Sequence, residues 1–260
     1  MTAVITLTVT GMVLAVAIGI VTKFFGVKQN PQAEQLLALM PGANCGGCGF
    51  AGCADYVEAM VAGRAEPGHC PSMTAEALAA ASRILGREIV QAEPKVAVVC
   101  CSGDDSHAKR RASYNGIMDC HNALFVAGGG KECLFGCLGL GTCARACPFG
   151  AIEMTDSHLA VVHPELCVGC GKCVAACPRH VIRLVSRHSP LVVLCNSTAA
   201  AKTKLKSCTA ACIGCRKCVK GAQEGQMAIN GSLAIVNEDN PPDSSLAAVC
   251  PTGALHARGQ

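Results

Sequence analysis

Tryptophan is absent from this 260-residue chain, tyrosine occurs twice and phenylalanine six times, so aromatics make up only 3%. So few large side chains cannot build one sizeable core; each folding unit has to be small and held by something besides packing. Charged residues are also scarce, at 15%, with a formal net charge of +4 at pH 7. That mild balance, with no long Lys/Arg run, excludes a nucleic-acid binder. No strand, GxGxxG and helix fingerprint is present, and nothing suggests a flavin pocket, so the chain carries no hydride chemistry of its own. Disorder is excluded as well, because 51% of the residues are hydrophobic.

What the chain has in excess is cysteine, 21 residues, and glycine, 28. Most cysteines sit two or three residues from the next, several followed by proline. Thiols that close rarely bridge each other, but they readily grip one metal centre from a tight loop. An odd count cannot pair completely either. The pattern is that of iron–sulfur or zinc ligation in a reducing compartment, rather than of a secreted disulfide scaffold.

Residues 3 to 22 contain no charge, and twenty residues at ~1.5 Å rise span roughly the 30 Å hydrocarbon core of a bilayer. A cleaved signal peptide would begin with a positive segment, whereas here Lys23 and Lys28 follow the apolar run. The reading is a single membrane anchor over residues 1–25, with Phe24 and Phe25 at the interface and the rest of the chain on the cytoplasmic side. Short helices are expected over 31–40, 54–62 and 74–85, the last capped by Thr74. They form a small helical domain over 31–90, followed by a linker at 91–95, a strand at 96–99 and a solvated polar loop at 102–113.

The remainder repeats. Cys120, Cys133, Cys137 and Cys143 are separated by 13, 4 and 6 residues, and so are Cys195, Cys208, Cys212 and Cys218. Each copy runs into a hairpin-like segment, 151–162 and 227–236, the second with Asn230-Gly231 at its turn, and each ends in Cys-Pro. The expected fold class is α+β: an N-terminal membrane helix, a small helical Fe–S domain, then ferredoxin-like Fe–S modules with short hairpins. The domains are 1–25, 31–90, 96–190 with two clusters, and 191–260 with one.

The most specific motif is Cys167-x2-Cys170-x2-Cys173-x3-Cys177-Pro178, the bacterial ferredoxin run, in which three cysteines hold one [4Fe–4S] cubane and the fourth reaches across to another. Cys133, Cys137, Cys143 and Cys147-Pro148 supply the matching half. Crossed ligation then predicts one cluster on Cys133, Cys137, Cys143 and Cys177, and another on Cys147, Cys167, Cys170 and Cys173. A third set is Cys45, Cys48, Cys53 and Cys70, where spacing alone also admits zinc. In the second repeat Cys212, Cys215 and Cys218 form a three-ligand run, but Ala222 stands where the crossing cysteine would be, so Cys250 closes a fourth cluster. Cys100, Cys101, Cys120, Cys195 and Cys208 remain, either as spare thiols or, for Cys101, Cys120, Cys195 and Cys208, as a further metal site.

The uncharged anchor, then PGANCGGCGFAGC with Cys70-Pro71, then GCLGLGTCARACPFGAI and CVGCGKCVAACP, closely resembles the B subunit of the Rnf electron-transport complex. The likeness runs over nearly the whole chain, although the wide spacing of Cys133, Cys137 and Cys143 and the repeat from 195 to 250 depart from the shorter members. The resemblance implies a subunit of an ion-translocating ferredoxin:NAD oxidoreductase in the bacterial cytoplasmic (inner) membrane. It implies soluble ferredoxin as electron donor, other subunits of the complex as partners, and electron transfer as this chain's only share in the translocase. Two further readings stay open: an electron donor to a redox-sensing transcription regulator, and a zinc-stabilised interaction module. Lys109, Arg110 and Arg111, or Lys202, Lys204 and Lys206, are candidates for receiving an acidic ferredoxin.

Overall fold

The computed structural model describes residues 2–25, 30–87, 89 and 92–258. Lys28, Gln91 and the side chains of Phe24 and Phe25 lie outside the described residues. Helix α1 (Thr2–Phe25) is exposed along its apolar length and carries no ionisable side chain before Lys23. It is long and apolar enough to cross a membrane. The hydroxyls of Thr6, Thr8, Thr10 and Thr22 donate to the carbonyls of Ala3, Val4, Thr6 and Ile18 at 3.0, 3.0, 2.6 and 2.9 Å. Its threonine hydroxyls therefore find partners inside the helix, as an apolar surrounding requires.

A helical unit follows. Asn30 accepts from the Gln32 N–H at 3.0 Å and Pro31 opens helix α2 (Pro31–Ala38), both favoured at a helix start. Helix α3 (Cys53–Val61) and helix α4 (Ala75–Leu85) pack against α2. The α4 cap is the expected one, with Thr74 Oγ1 accepting from the Ala77 N–H at 3.2 Å. Leu36, Tyr56, Val57 and Met60 are buried at the centre, and Cys48, Cys53 and Cys70 pack on their edge. Tyr56 stacks its ring 5.4 Å from that of Phe50 and donates its hydroxyl to the Glu66 carbonyl at 2.6 Å, so its polar end is satisfied inside the core.

The rest of the chain is built from small strand pairs and one-turn helices. In order it runs β1 (Lys95–Val99), α5 (Cys120–Phe125), α6 (Thr142–Ala146), β2 (Ile152–Met154), β3 (Ala160–Val162), α7 (Lys172–Ala175) and β4 (Ile182–Ser186). It continues with β5 (Leu191–Val193), α8 (Ala201–Ser207), α9 (Lys217–Gly221), β6 (Met227–Asn230), β7 (Leu233–Val236) and β8 (Leu255–Ala257). All four pairs are antiparallel: β1 with β4, β2 with β3, β5 with β8, and β6 with β7. The pairs β1–β4 and β5–β8 join the two ends of each copy, while β2–β3 and β6–β7 are the hairpins legible in the sequence. The fold is α+β, as the sequence implies.

Two local expectations shift. Asn230 pairs with Leu233, so the turn is Gly231-Ser232, with Gly231 at φ 60° in the first central position, where a two-residue loop favours glycine. The segment 102–113 is not simply solvated. Gly103 and Ala108 are buried, Ala108 bridges Cys208, Arg110 bridges Lys131, and the Lys109 and Thr209 N–H groups donate to Ser207 and His107 carbonyls at 2.9 and 3.0 Å. Its polar residues face out while its backbone ties the first copy to the second. Thr74→Ala should lower the stability of the helical unit by about 1 kcal/mol, read as an earlier helix-unfolding transition by circular dichroism, with the iron content of the folded chain unchanged.

Candidate metal centres

Four cysteine groups come together close to the expected ones. Around a cavity of about 300 Å³ stand Cys147, Cys167, Cys170 and Cys173. The N–H groups of Ala97 and Ala151 point at Cys167 Sγ and Cys147 Sγ, each at 3.4 Å, the kind of donor that supports metal-bound sulfur. Burial, then the charges of Cys167, Cys170 and Cys147, push the Cys173 thiol up to about 11, so a bound cation would favour its thiolate. Gly169 is what lets the loop close. Its φ is +72°, and a Cβ there would lie 2.5 Å from the Lys95 carbonyl oxygen of β1.

The C-terminal group is assembled by the same device. Cys212, Cys215, Cys218 and Cys250 line a cavity of about 370 Å³, and the Ala234 N–H of β7 donates to Cys212 Sγ at 3.4 Å. Burial opposes ionisation of Cys250, but the N–H groups of Leu255 and Thr252 and the Thr252 hydroxyl hold its thiol below the ordinary value. In the helical unit, burial and then the charges of Cys48, Cys45 and Cys53 act on Cys70. Cys45 and Cys48 lie on the loop before α3, Cys53 opens α3, and Cys70 lies on the segment after it.

The fourth group differs from expectation by one member. Cys120, Cys137, Cys143 and Cys177 line a cavity of about 380 Å³, and Cys133 is not among them. Cys120 is fixed there because its N–H donates to Thr142 Oγ1 at 2.8 Å, and that hydroxyl donates in turn to Asp119 at 2.9 Å. Asp119 also caps α5, accepting from the His121 and Asn122 N–H groups at 2.9 and 3.0 Å. Thr142 opens α6, which carries Cys143, so Cys120 is tied to its neighbour in the site. Cys133 is turned away, its carbonyl held by Arg179 Nη1 at 2.5 Å. It lies beside Cys101, Cys195 and Cys208. The sequence held a signal for this exchange: aligned on the second run, the first reads Cys137, Leu140, Cys143 and Cys147. Leu140 stands at the second position of the run, and Cys120 is the fourth cysteine the fold brings to that cavity.

Zinc would need its four sulfurs within roughly 4 Å of one another, given Zn–S bonds of about 2.3 Å. Among the described residues no three His, Cys, Asp or Glu side chains converge that tightly on a single ion. Four thiols facing one space, with backbone N–H groups aimed at their sulfurs, suit a polynuclear cluster. The helical and ferredoxin-like groups also meet: a Cβ on Gly47 would stand 3.0 Å from Cys170 Cα, and Cys45 is among the charges felt by Cys170.

Comparison with known proteins supports iron–sulfur binding in two of these regions. An Fe-S cluster family model matches residues 40–72 and a 4Fe-4S dicluster domain model matches residues 135–182. The B subunit of the ion-translocating oxidoreductase complex of Methanosarcina acetivorans is 38% identical over 249 residues, covering 95% of this chain and 94% of that protein. The chain belongs to this B-subunit family. The B subunit of the proton-translocating ferredoxin:NAD(+) oxidoreductase complex of Clostridium ljungdahlii is 35% identical over 257 residues, 97% of this chain and 90% of its own. The B subunit of the Na(+)-translocating ferredoxin:NAD(+) oxidoreductase complex of Acetobacterium woodii is 40% identical over 202 residues, 78% of this chain and 61% of its own. The family's iron–sulfur character covers both the helical unit and the first repeat.

The close approach at Gly169 gives a direct test within this B-subunit chain. Gly169→Ala should push the loop off β1 and remove about four irons per chain, one cubane's worth. The measurement is iron and labile sulfide in the folded protein, with an unchanged count contradicting the role given to the loop.

Proposed function

We propose that this chain is the membrane-anchored electron-transfer subunit of an ion-translocating ferredoxin:NAD oxidoreductase complex. It accepts electrons from reduced ferredoxin and relays them to partner subunits. What carries this reading is the contiguity of the cysteine groups, from Cys45, Cys48, Cys53 and Cys70 onto the loop of Cys170 and on into the crossed pair. When bound, [4Fe–4S] clusters supply one-electron chemistry. The chain's own residues gather the sulfurs, aim N–H groups at them and exclude bulk water. The proposed sets are Cys45, Cys48, Cys53 and Cys70; Cys120, Cys137, Cys143 and Cys177; Cys147, Cys167, Cys170 and Cys173; and Cys212, Cys215, Cys218 and Cys250.

The division of labour follows from what α1 offers. One helix with no ionisable side chain before Lys23 gives an ion no path, so translocation falls to partner subunits and α1 anchors the chain, with the cluster-bearing units on the cytoplasmic face. A ferredoxin docking surface is supported by a rearrangement of the expected basic patches. Arg110 is bound to Asp105 at 2.8 Å and Lys204 is buried, so neither offers a free charge. Lys109, Lys202 and Lys206 stay exposed, and the Lys109 N–H bond to Ser207 joins the two patches into one face.

Removing residues 1–25 should leave a brown protein that ferredoxin still reduces anaerobically but that no longer assembles with membranes. A colourless protein free of labile sulfide would contradict the electron-transfer reading. Lys202→Glu with Lys206→Glu should slow reduction by an acidic ferredoxin roughly tenfold at low salt, with the difference fading at high salt. A rate independent of both charge and salt would place docking elsewhere.

A further inference from the structure

The exchange of Cys120 for Cys133 leaves Cys101, Cys133, Cys195 and Cys208, drawn from four separate segments. They share one cavity of about 440 Å³. Three of these sulfurs are located by their glycine neighbours. A Cβ on Gly136 would stand 3.3 Å from Cys101 Sγ and 3.4 Å from Cys133 Sγ; one on Gly103 would stand 3.4 Å from Cys101 Sγ and 3.6 Å from Cys208 Sγ. A Cβ at Gly136 would crowd Cys101 Sγ, while one at Gly103 would sit in ordinary contact with both of its sulfurs. Backbone donors are in place as well, the Gly103 and Cys137 N–H groups reaching Cys101 Sγ at 3.3 and 3.4 Å. Cys100, just past the end of β1, is not part of the set. It is buried, its N–H is bonded to the Val181 carbonyl, and it does not line the cavity.

Two buried ammonium groups are the second observation. Lys131 and Lys204 both line this cavity and are almost wholly buried. Lys131 Nζ donates to the Gly103 and His158 carbonyls at 2.7 and 2.9 Å, and Lys204 Nζ to the Cys212 and Ser232 carbonyls at 2.8 and 2.7 Å. Among the described residues neither forms an ion pair with a carboxylate. A buried charge held by carbonyl dipoles alone is costly. A cubane held by four thiolates carries net negative charge and would supply the missing counter-charge.

We propose that Cys101, Cys133, Cys195 and Cys208 hold a further [4Fe–4S] cluster. It joins the crossed pair to the C-terminal centre. This rests on the electron-transfer reading above and adds a centre to it. Cys137 lines both this cavity and the one of Cys120, Cys143 and Cys177, while Cys208 leads within one turn to Cys212. The site takes up one electron from the cluster on one side and gives it to the cluster on the other, with no atom transferred. The strap of residues 102–113 closes the cavity over Gly103 and Ala108.

The test uses the full-length chain in detergent, prepared anaerobically with iron and sulfide in excess. About twenty irons and as many labile sulfides per chain are expected. Cys195→Ser with Cys208→Ser should lose about four of each and the spin of one reduced cluster, while Cys100→Ser loses none. About sixteen irons in the parent, unchanged in the double variant, would overturn the further site and leave the electron-transfer reading standing. A zinc ion released by the double variant would overturn it too. Absence of labile sulfide from the whole chain would remove both readings at once. Lys131→Met should lower the reduction potential of this centre alone, since a positive charge beside a cluster favours its reduction, and Lys131→Arg should restore it; no shift in either would contradict the part given to the ammonium. The parent's count decides even if the cysteine variants fail to fold.

Discussion

Four sulfurs from distant points of the chain have to reach one small volume, several times over, and nearly every feature of this molecule beyond α1 follows from that requirement. It fits the strands of three to five residues and the short helices, several of which, α6, α7 and α9, carry one cysteine each. It also explains how so few aromatic residues suffice. The thiols and the small apolar residues beside them form the core, as with Cys137, Cys143 and Cys173 against Val181 and Ile182. A unit this small gains its remaining stability from what the thiols bind.

The same requirement produces the order of the centres. A cysteine followed by proline crosses from its own run to the neighbouring site, which joins the two halves of the first repeat as Cys147 and Cys177 do. Where the second repeat has Ala222 instead, the crossing is lost, and the return of the chain through β8 brings Cys250 to the open site. The strap at 102–113 and the pairs β1–β4 and β5–β8 then hold the copies side by side. Position along the chain and position along the electron path are therefore different things: Cys101 precedes the first repeat in sequence, yet it faces cysteines of both.

Much of this was legible beforehand. The apolar N-terminal helix, the helical unit with its Thr74 cap, both hairpins and the gathering of Cys147 with Cys167, Cys170 and Cys173 around one cavity follow from local spacing and local hydrogen bonding, which a sequence carries directly. The exchange of Cys120 and Cys133 did not follow from spacing, because twelve residues, the rest of α5 among them, separate the two and Cys120 is held by Thr142 from another segment together with its own neighbour Asp119. Leu140 was the readable clue. The interior place of Lys204 was hidden for a similar reason: beside Lys202 and Lys206 it reads as one of a charged run, and only the carbonyls of Cys212 and Ser232 distinguish it. Burial of the 102–113 backbone beneath polar side chains is likewise a tertiary fact, set by the two repeats it lies between.

What remains to be seen directly is iron held by the cysteines of this chain in one unbroken succession. An anomalous difference map at the iron edge, from crystals of the anaerobically prepared full-length protein, tests it most directly. The account requires compact iron density within each cysteine group, with the density of the Cys45 group next to that of the Cys170 loop and the density between Cys101, Cys133, Cys195 and Cys208 next to both of its neighbours. Density confined to one repeat, or single-ion peaks in place of clusters, would contradict it.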